Sequence, residues 1–328
     1  MFEGFDDRSI TVDGVDIHTR VGGAGPPLLL LHGFPQSHML WHGVAPHLAR
    51  SFTVVLTDLR GYGRSSKPPG DAEHATYSKR RMAADQMAVM TALSFERFSV
   101  AGHDRGARVA HRMALDHPQR VERVAFLDIV PTLEVFERVD QAMATAYYHW
   151  FFLIQPNGLP EHLIGLDPQT YLRRTLGAWG SDPGIFHEEA VAAYLQTFCD
   201  PAAIHAMCED YRAAATIDLA HDRADRAAGR TVDCPALTLW GDRSVVGRLY
   251  PDPLVIWRRY APHIRGAGLP AGHFLPEERP QDTVDALLSF LSAPVSDGAP
   301  PHQQPITERP LHGRSVRNSN TSDRRHRR

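Results

Sequence analysis

The pattern of apolar and polar positions changes character twice along this chain. "SITVDGVDIHTRV" alternates about Asp13-Gly14 and predicts a β-hairpin. After it come short, continuous apolar runs: "PLLLLHGF", "FTVVLTDLRGYG", "RFSVAGHD", "VERVAFLDIV" and, much later, "CPALTLWGD". Such runs predict strands buried on both faces. Between them lie helical stretches, notably "YSKRRMAADQMAVMTALSF" and "RGARVAHRMALDHP", and "TVDALLSFL" predicts a closing helix. Strands that alternate with helices imply an α/β fold with a mostly parallel sheet flanked by helices. The alternation stops at Pro131 and resumes after residue 230, with helix after helix between. The expected organisation is therefore a core in two parts, 1–130 and 231–293, with a helical cap at 131–230. Residues 294–328 contain almost no large apolar side chains, so burial cannot offset the entropy of ordering them, and a disordered tail is expected there.

Composition narrows the function classes. The chain has 328 residues, 43% hydrophobic and 22% charged, with a formal net charge of −3. That is no basic field of the kind nucleic-acid binding needs. The tail alone carries seven arginines against Asp297, Glu308 and Asp323, so the remainder carries −7. The first twenty residues are acidic where a secretion signal is basic and then apolar, and the run "PPLLLL" is too short to cross a bilayer. Cys199, Cys208 and Cys234 show no C-x-x-C spacing. A reduced, cytoplasmic protein without membrane or nucleic-acid partners is expected. No metal or cofactor is expected either.

The chemistry centres on "AGHDRGA". A strand that tightens at Gly102 and leaves as a helix after Gly106 matches the turn G-x-S-x-G that presents a serine nucleophile in α/β-hydrolases, but Asp104 stands in the serine's place. An aspartate could simply cap the following helix, although capping leaves the flanking glycines unexplained. A carboxylate nucleophile suits an sp3 carbon. Displacement there makes an alkyl ester, which water activated by a histidine can then hydrolyse. Attack on an ester carbonyl would give a mixed anhydride instead. His273, in "LPAGHFLPEE", lies at the expected place for that histidine. Asp128 and Asp242 both follow strands and both suit the acid that orients it. Backbone N–H groups of Phe34 and Arg105 are candidates for the oxyanion hole. Arg105 and Arg108, three apart on the helix that starts at the nucleophile, suit a substrate carboxylate. The electrophile is then an epoxide or a carbon–halogen bond on a small anionic molecule.

Residues 5 to about 292 resemble the haloacetate dehalogenases, fluoroacetate dehalogenases in particular, of the α/β-hydrolase superfamily. The resemblance rests on "LLHGFPQS", "DLRGYGRSSKP", "GHDRGARVAHRMALDHP", "LDIVPT", "YYHWFFLIQP", "EHLIG", "DYRAAATIDLAHD" and "GHFLPEE". It implies an α/β-hydrolase fold with Asp104 as nucleophile, Asp128 as orienting acid and His273 as the activator of water. It also implies carboxylate binding by Arg105 and Arg108, halide binding by His149, Trp150 and Tyr211, and a homodimer. Haloalkane dehalogenases usually carry tryptophan directly after the nucleophile, where this chain has Arg105. From the residues alone, "YYHWFF" reads as an aromatic core patch. Two other functions stay open at this level. One is an epoxide hydrolase drawing acidity from Tyr147, Tyr148, Tyr194 or Tyr211. The other is a non-catalytic ligand-binding module on the same fold.

Overall fold

The computed structural model describes residues 1–293; the arginine-rich segment 294–328, expected to be disordered, lies outside the described residues. Eight strands form one sheet: β1 (Phe5–Val12), β2 (Val15–Gly22), β3 (Pro27–Leu31), β4 (Thr53–Thr57), β5 (Phe98–His103), β6 (Val121–Leu127), β7 (Ala236–Gly241) and β8 (Ile264–Leu269). Their spatial order is β1-β2-β4-β3-β5-β6-β7-β8. The hairpin forms as expected, with Val12 opposite Val15 across Asp13-Gly14, and β2 pairs antiparallel with both β1 and β4. Every pairing from β4 through β8 is parallel.

The continuous apolar runs are buried on both sides because successive side chains point to opposite faces. Leu29, Leu31, Val55, Val100, Val124 and Phe126 enter one core. Their chain neighbours Leu28, Leu30, Val54, Leu56, Ala101, Ala125 and Leu127 enter the other.

Helices cover both faces. Within the first part of the core these are α1 (Ala45–Leu48), α2 (Lys79–Ala92) and α3 (Arg105–Asp116). Eight helices follow β6: α4 (Thr132–Glu137), α5 (Gln141–Ala146), α6 (Tyr148–Leu153), α7 (Leu159–Leu166), α8 (Pro168–Leu176), α9 (Glu188–Phe198), α10 (Pro201–Ala215) and α11 (Ile217–Ala227). No strand interrupts them until β7. The chain finishes with α12 (Val245–Leu249), α13 (Pro253–Trp257), α14 (Leu275–Glu278) and α15 (Pro280–Leu291), the last being the helix read from "TVDALLSFL". β8 was not legible beforehand. Its "IRGAGL" is half glycine and small residues, and the strand sits at the sheet edge, where few of its side chains are buried. Among the described residues no helix is long and apolar enough to cross a membrane.

Candidate active site

Asp104 occupies the junction between β5 and α3 with φ +48° and ψ −115°, a backbone conformation that L-residues rarely hold. Close packing enforces it. A Cβ on Gly106 would lie 2.3 Å from the carbonyl oxygen of His32, so α3 can seat against the end of β3 only with glycine there. A Cβ on Gly33 would lie 2.5 Å from Asp104 Cβ. The Asp104 side chain caps no helical N–H. Its Oδ1 instead accepts from the backbone N–H of Phe34 at 2.9 Å. The capping alternative therefore fails at this position.

His273 comes from the loop between β8 and α14, and its Nε2 lies 3.9 Å from Asp104 Oδ2. Its Nδ1 is 2.6 Å from Asp128 Oδ2, directly after β6. Asp128 has its other oxygen filled by the Gly241 N–H at 2.9 Å and the Ser244 hydroxyl at 2.7 Å. The rival Asp242 is exposed and reaches neither His273 nor Asp104 through any hydrogen bond or ion pair. Burial alone would push the His273 pKa down, but hydrogen bonding and charge from Asp128, together with the charge of Asp104, raise it above its ordinary value. Burial pushes Asp104 upward, and the charges of His273, Arg105, His103 and Arg108 outweigh it, leaving its pKa lowered.

Both arginines are buried, Arg105 fully and Arg108 to 4% exposure. Arg105 Nε and Nη2 donate to Asp210 Oδ2 and Oδ1 at 3.0 and 2.7 Å, and its Nη1 has no partner. Arg108 Nη1 donates to the Val130 carbonyl and the Thr132 hydroxyl, both at 2.9 Å, and its Nε has no partner. Above them sit the aromatic residues of the cap. The Arg105 guanidinium lies 4.1 Å from the Tyr211 ring centre, and that of Arg108 lies 4.7 Å from the Trp150 ring centre. The Tyr211 ring meets those of His149 and Trp150 edge-on, and His149 stacks on Phe34. The Tyr211 hydroxyl and His149 Nδ1 are buried without a hydrogen-bond partner. Burial pushes the His149 pKa down to about 3, so its ring is neutral. The charge of Asp104 acts on both residues. Within "YYHWFF", Tyr147 and His149 lie close enough to Asp104 to feel its charge, while Phe151 and Phe152 pack on Phe136 and Tyr171 as an aromatic patch.

Several contributors were missed in the sequence. His103 Nε2 donates to the His273 carbonyl at 2.8 Å. The His273 N–H donates to Ser181 Oγ at 3.2 Å. Glu278 accepts the N–H groups of Gly272 and Phe274 on either side of the histidine, at 2.7 and 3.0 Å. Trp179 lies against the His273 ring at 5.1 Å. Asp210, next to Tyr211, had no spacing signal; only its helix number relative to Tyr211 could have drawn attention to it.

Among the described residues, the cluster of His18, His38 and Asp58 has the donor set of a metal site. Its carboxylate is already saturated. Asp58 meets both Nδ1 atoms, at 3.1 and 2.8 Å, and accepts the backbone N–H groups of His38 and Arg64. It is a buried hydrogen-bonded hub at the end of β4.

Residues 26–280 match the family model of the alpha/beta hydrolase fold. The fluoroacetate dehalogenase of a Burkholderia species is 50% identical over 293 residues, covering 89% of this chain and 95% of that protein. The soluble epoxide hydrolase of Corynebacterium sp. strain C12 is 33% identical, covering 86% and 95% respectively. Among solved structures, one from Nostoc sp. PCC 7120 superposes with a TM-score of 0.87 at 54% identity, over 89% of this chain and 99% of that one. This fold, with half its residues shared with such a relative over most of both chains, places the chain in the haloacetate dehalogenase family of the α/β-hydrolase superfamily.

Proposed function

We propose that this hydrolase removes halide from haloacetates, converting fluoroacetate to glycolate and fluoride. The observation that carries the substrate class is Arg108: a buried guanidinium beside the nucleophile with no carboxylate partner among the described residues. An uncompensated buried charge is costly, so the site is built to receive an anion.

In the first step Asp104 Oδ2 attacks the substrate CH2 and the carbon–halogen electron pair leaves with the halide. Oδ1 stays on the Phe34 N–H. Arg108 and the free Nη1 of Arg105 hold the substrate carboxylate, while His149, Trp150 and Tyr211 donate to the departing halide. In the second step His273 takes a proton from water, and the hydroxide attacks the carboxyl carbon of the Asp104 ester. The oxyanion forms where the Phe34 and Arg105 N–H groups can meet it. Collapse expels the alkoxide, which takes the proton back from His273 and leaves as glycolate; the carboxylic acid left at Asp104 gives its proton to solvent by way of His273, and the carboxylate is restored. Asp128 keeps His273 in the tautomer with Nε2 free and stabilises its charged form. The family resemblance adds a homodimer, and the cysteine spacing and acidic N-terminal stretch a cytoplasmic setting.

The experiment is to offer fluoroacetate, chloroacetate and a panel of small epoxides, reading halide and diol. His273→Asn should release one equivalent of halide per site and stop, with a glycolyl ester on Asp104 seen by mass spectrometry. Sustained turnover by that variant would remove His273 from the second step. Diol formation in place of halide would favour the second reading, an epoxide hydrolase, in which the unpartnered Tyr211 hydroxyl protonates the alkoxide.

A further inference from the structure

Arg105 and Arg108 carry the same charge, three residues apart on one buried helix, yet their surroundings differ. Asp210 takes Arg105 by both Nε and Nη2, and its own carbonyl accepts a further bond from Nη2 at 2.8 Å. Asp210 is fully buried, accepts from the Tyr62 hydroxyl at 2.7 Å and contacts the Lys79 ammonium. Lys79 is balanced a second time by Asp218, 3.6 Å away. Arg108 has only a carbonyl and a hydroxyl.

We infer that Asp210 is the specificity-determining residue of this pocket: it cancels the charge of Arg105 and leaves Arg108, which forms no ion pair with a carboxylate among the described residues, to meet the ligand's charge, matching the site to ligands with a single carboxylate. The inference rests on the haloacetate reading above. A second carboxylate brought into this buried space would find one Nη1 edge of an already neutralised guanidinium, so its desolvation would go largely uncompensated. Asp210 also positions. With Nε and Nη2 engaged, the guanidinium plane is fixed against the Tyr211 ring and only Nη1 remains available. Because Asp210 and Tyr211 are adjacent on α10, one cap helix both restrains Arg105 and delivers a donor of the halide site.

The test is calorimetric binding of acetate and oxalate to the resting full-length enzyme, which needs no turnover. Asp210→Asn keeps the shape and removes the charge. It should lower the ratio of the oxalate to the acetate dissociation constant at least tenfold. Tyr62→Phe removes one hydrogen bond to Asp210 and keeps its charge, and should leave that ratio within about twofold of wild type. Should Asp210→Asn fail to fold, Lys79→Met decides: loss of that cation makes the cluster more negative, and the ratio should rise severalfold. A folded Asp210→Asn with an unchanged ratio, or a Tyr62→Phe that shifts it as far, overturns the inference while leaving the haloacetate reading intact. A wild-type enzyme that binds neither anion overturns both.

Discussion

At the scale of single residues, the site separates groups that are electrostatically satisfied from groups that are waiting. Asp128, Arg105 and Asp210 have full sets of charged or hydrogen-bonding partners, apart from Arg105 Nη1. Arg108 Nε, His149 Nδ1 and the Tyr211 hydroxyl do not. Buried polar atoms without partners are uncommon, and this cluster of them beside Asp104 is where the proposed substrate would supply the missing half. Arg108→Met should lower kcat/KM for chloroacetate by about one to two orders of magnitude, the loss of charge-assisted bonds worth roughly 1.5–3 kcal/mol. Uncharged chloroacetamide should lose far less, and equal losses on the two substrates would make Arg108 a structural residue. Fluoride accepts hydrogen bonds strongly and leaves poorly. His149→Ala and Tyr211→Phe should therefore reduce kcat for fluoroacetate by about 10²–10³, and for chloroacetate much less. Proportional losses would return these residues to the aromatic core.

At the scale of elements, the placement of Asp104 depends on how closely α3 approaches the ends of β3 and β5. Ala107 and Arg108 already donate to the Asp104 carbonyl, so the helix begins immediately after Asp104. Every residue from Arg105 to Leu115 is buried, which is why two arginines here are pocket residues and not solvated helix positions. Gly106→Ala would drive a methyl group against backbone atoms of Leu31 and His32 and should cost about 1–3 kcal/mol, read as a fall in Tm, with activity lost beyond that. Gly165 in α7 is the control. Nothing lies within 4 Å of its added Cβ, so Gly165→Ala should raise stability by about 0.5–1 kcal/mol. Similar effects at both positions would mean that close approach does not govern the elbow.

At the scale of the whole molecule, buried polar contacts tie the cap helices to the strand ends. Tyr194 of α9 donates to Glu277 of α14 at 3.2 Å, and Gln36, from the loop after β3, donates to the other oxygen of Glu277. Tyr62, from the loop after β4, meets Asp210 of α10. These partners of Glu277 are neutral, and burial pushes its pKa from 4.5 up to about 8. Between those two values the folded protein holds a proton that the unfolded chain has released. Stability contributed here therefore falls as pH rises from 4.5 to about 8 and then levels. Glu277→Gln removes this dependence. Its Tm relative to wild type should climb steadily across that window, by scanning calorimetry at several pH values. A constant difference would show that Glu277 titrates normally.

The fold and the tight turn at Asp104 were legible because both are local. Apolar runs this short, bounded by glycine, proline and polar residues, fit strands covered on two faces better than helices, and a glycine-flanked Asp104 at the end of one fits a tight turn. His273 and the aromatic stretch of the cap were legible through resemblance, since neither has a local signature of its own. The choice of Asp128 over Asp242 became a matter of geometry only when the strand ends were set side by side, 2.6 Å separating Asp128 from His273. β8, glycine-rich and without a continuous apolar run to signal itself, needed β7 beside it. The unequal states of Arg105 and Arg108 belong wholly to the tertiary structure. Their spacing makes them equivalent on paper. Asp210, more than a hundred positions later in the chain, makes them different, because the net charge of a buried group depends on which groups folding brings within reach.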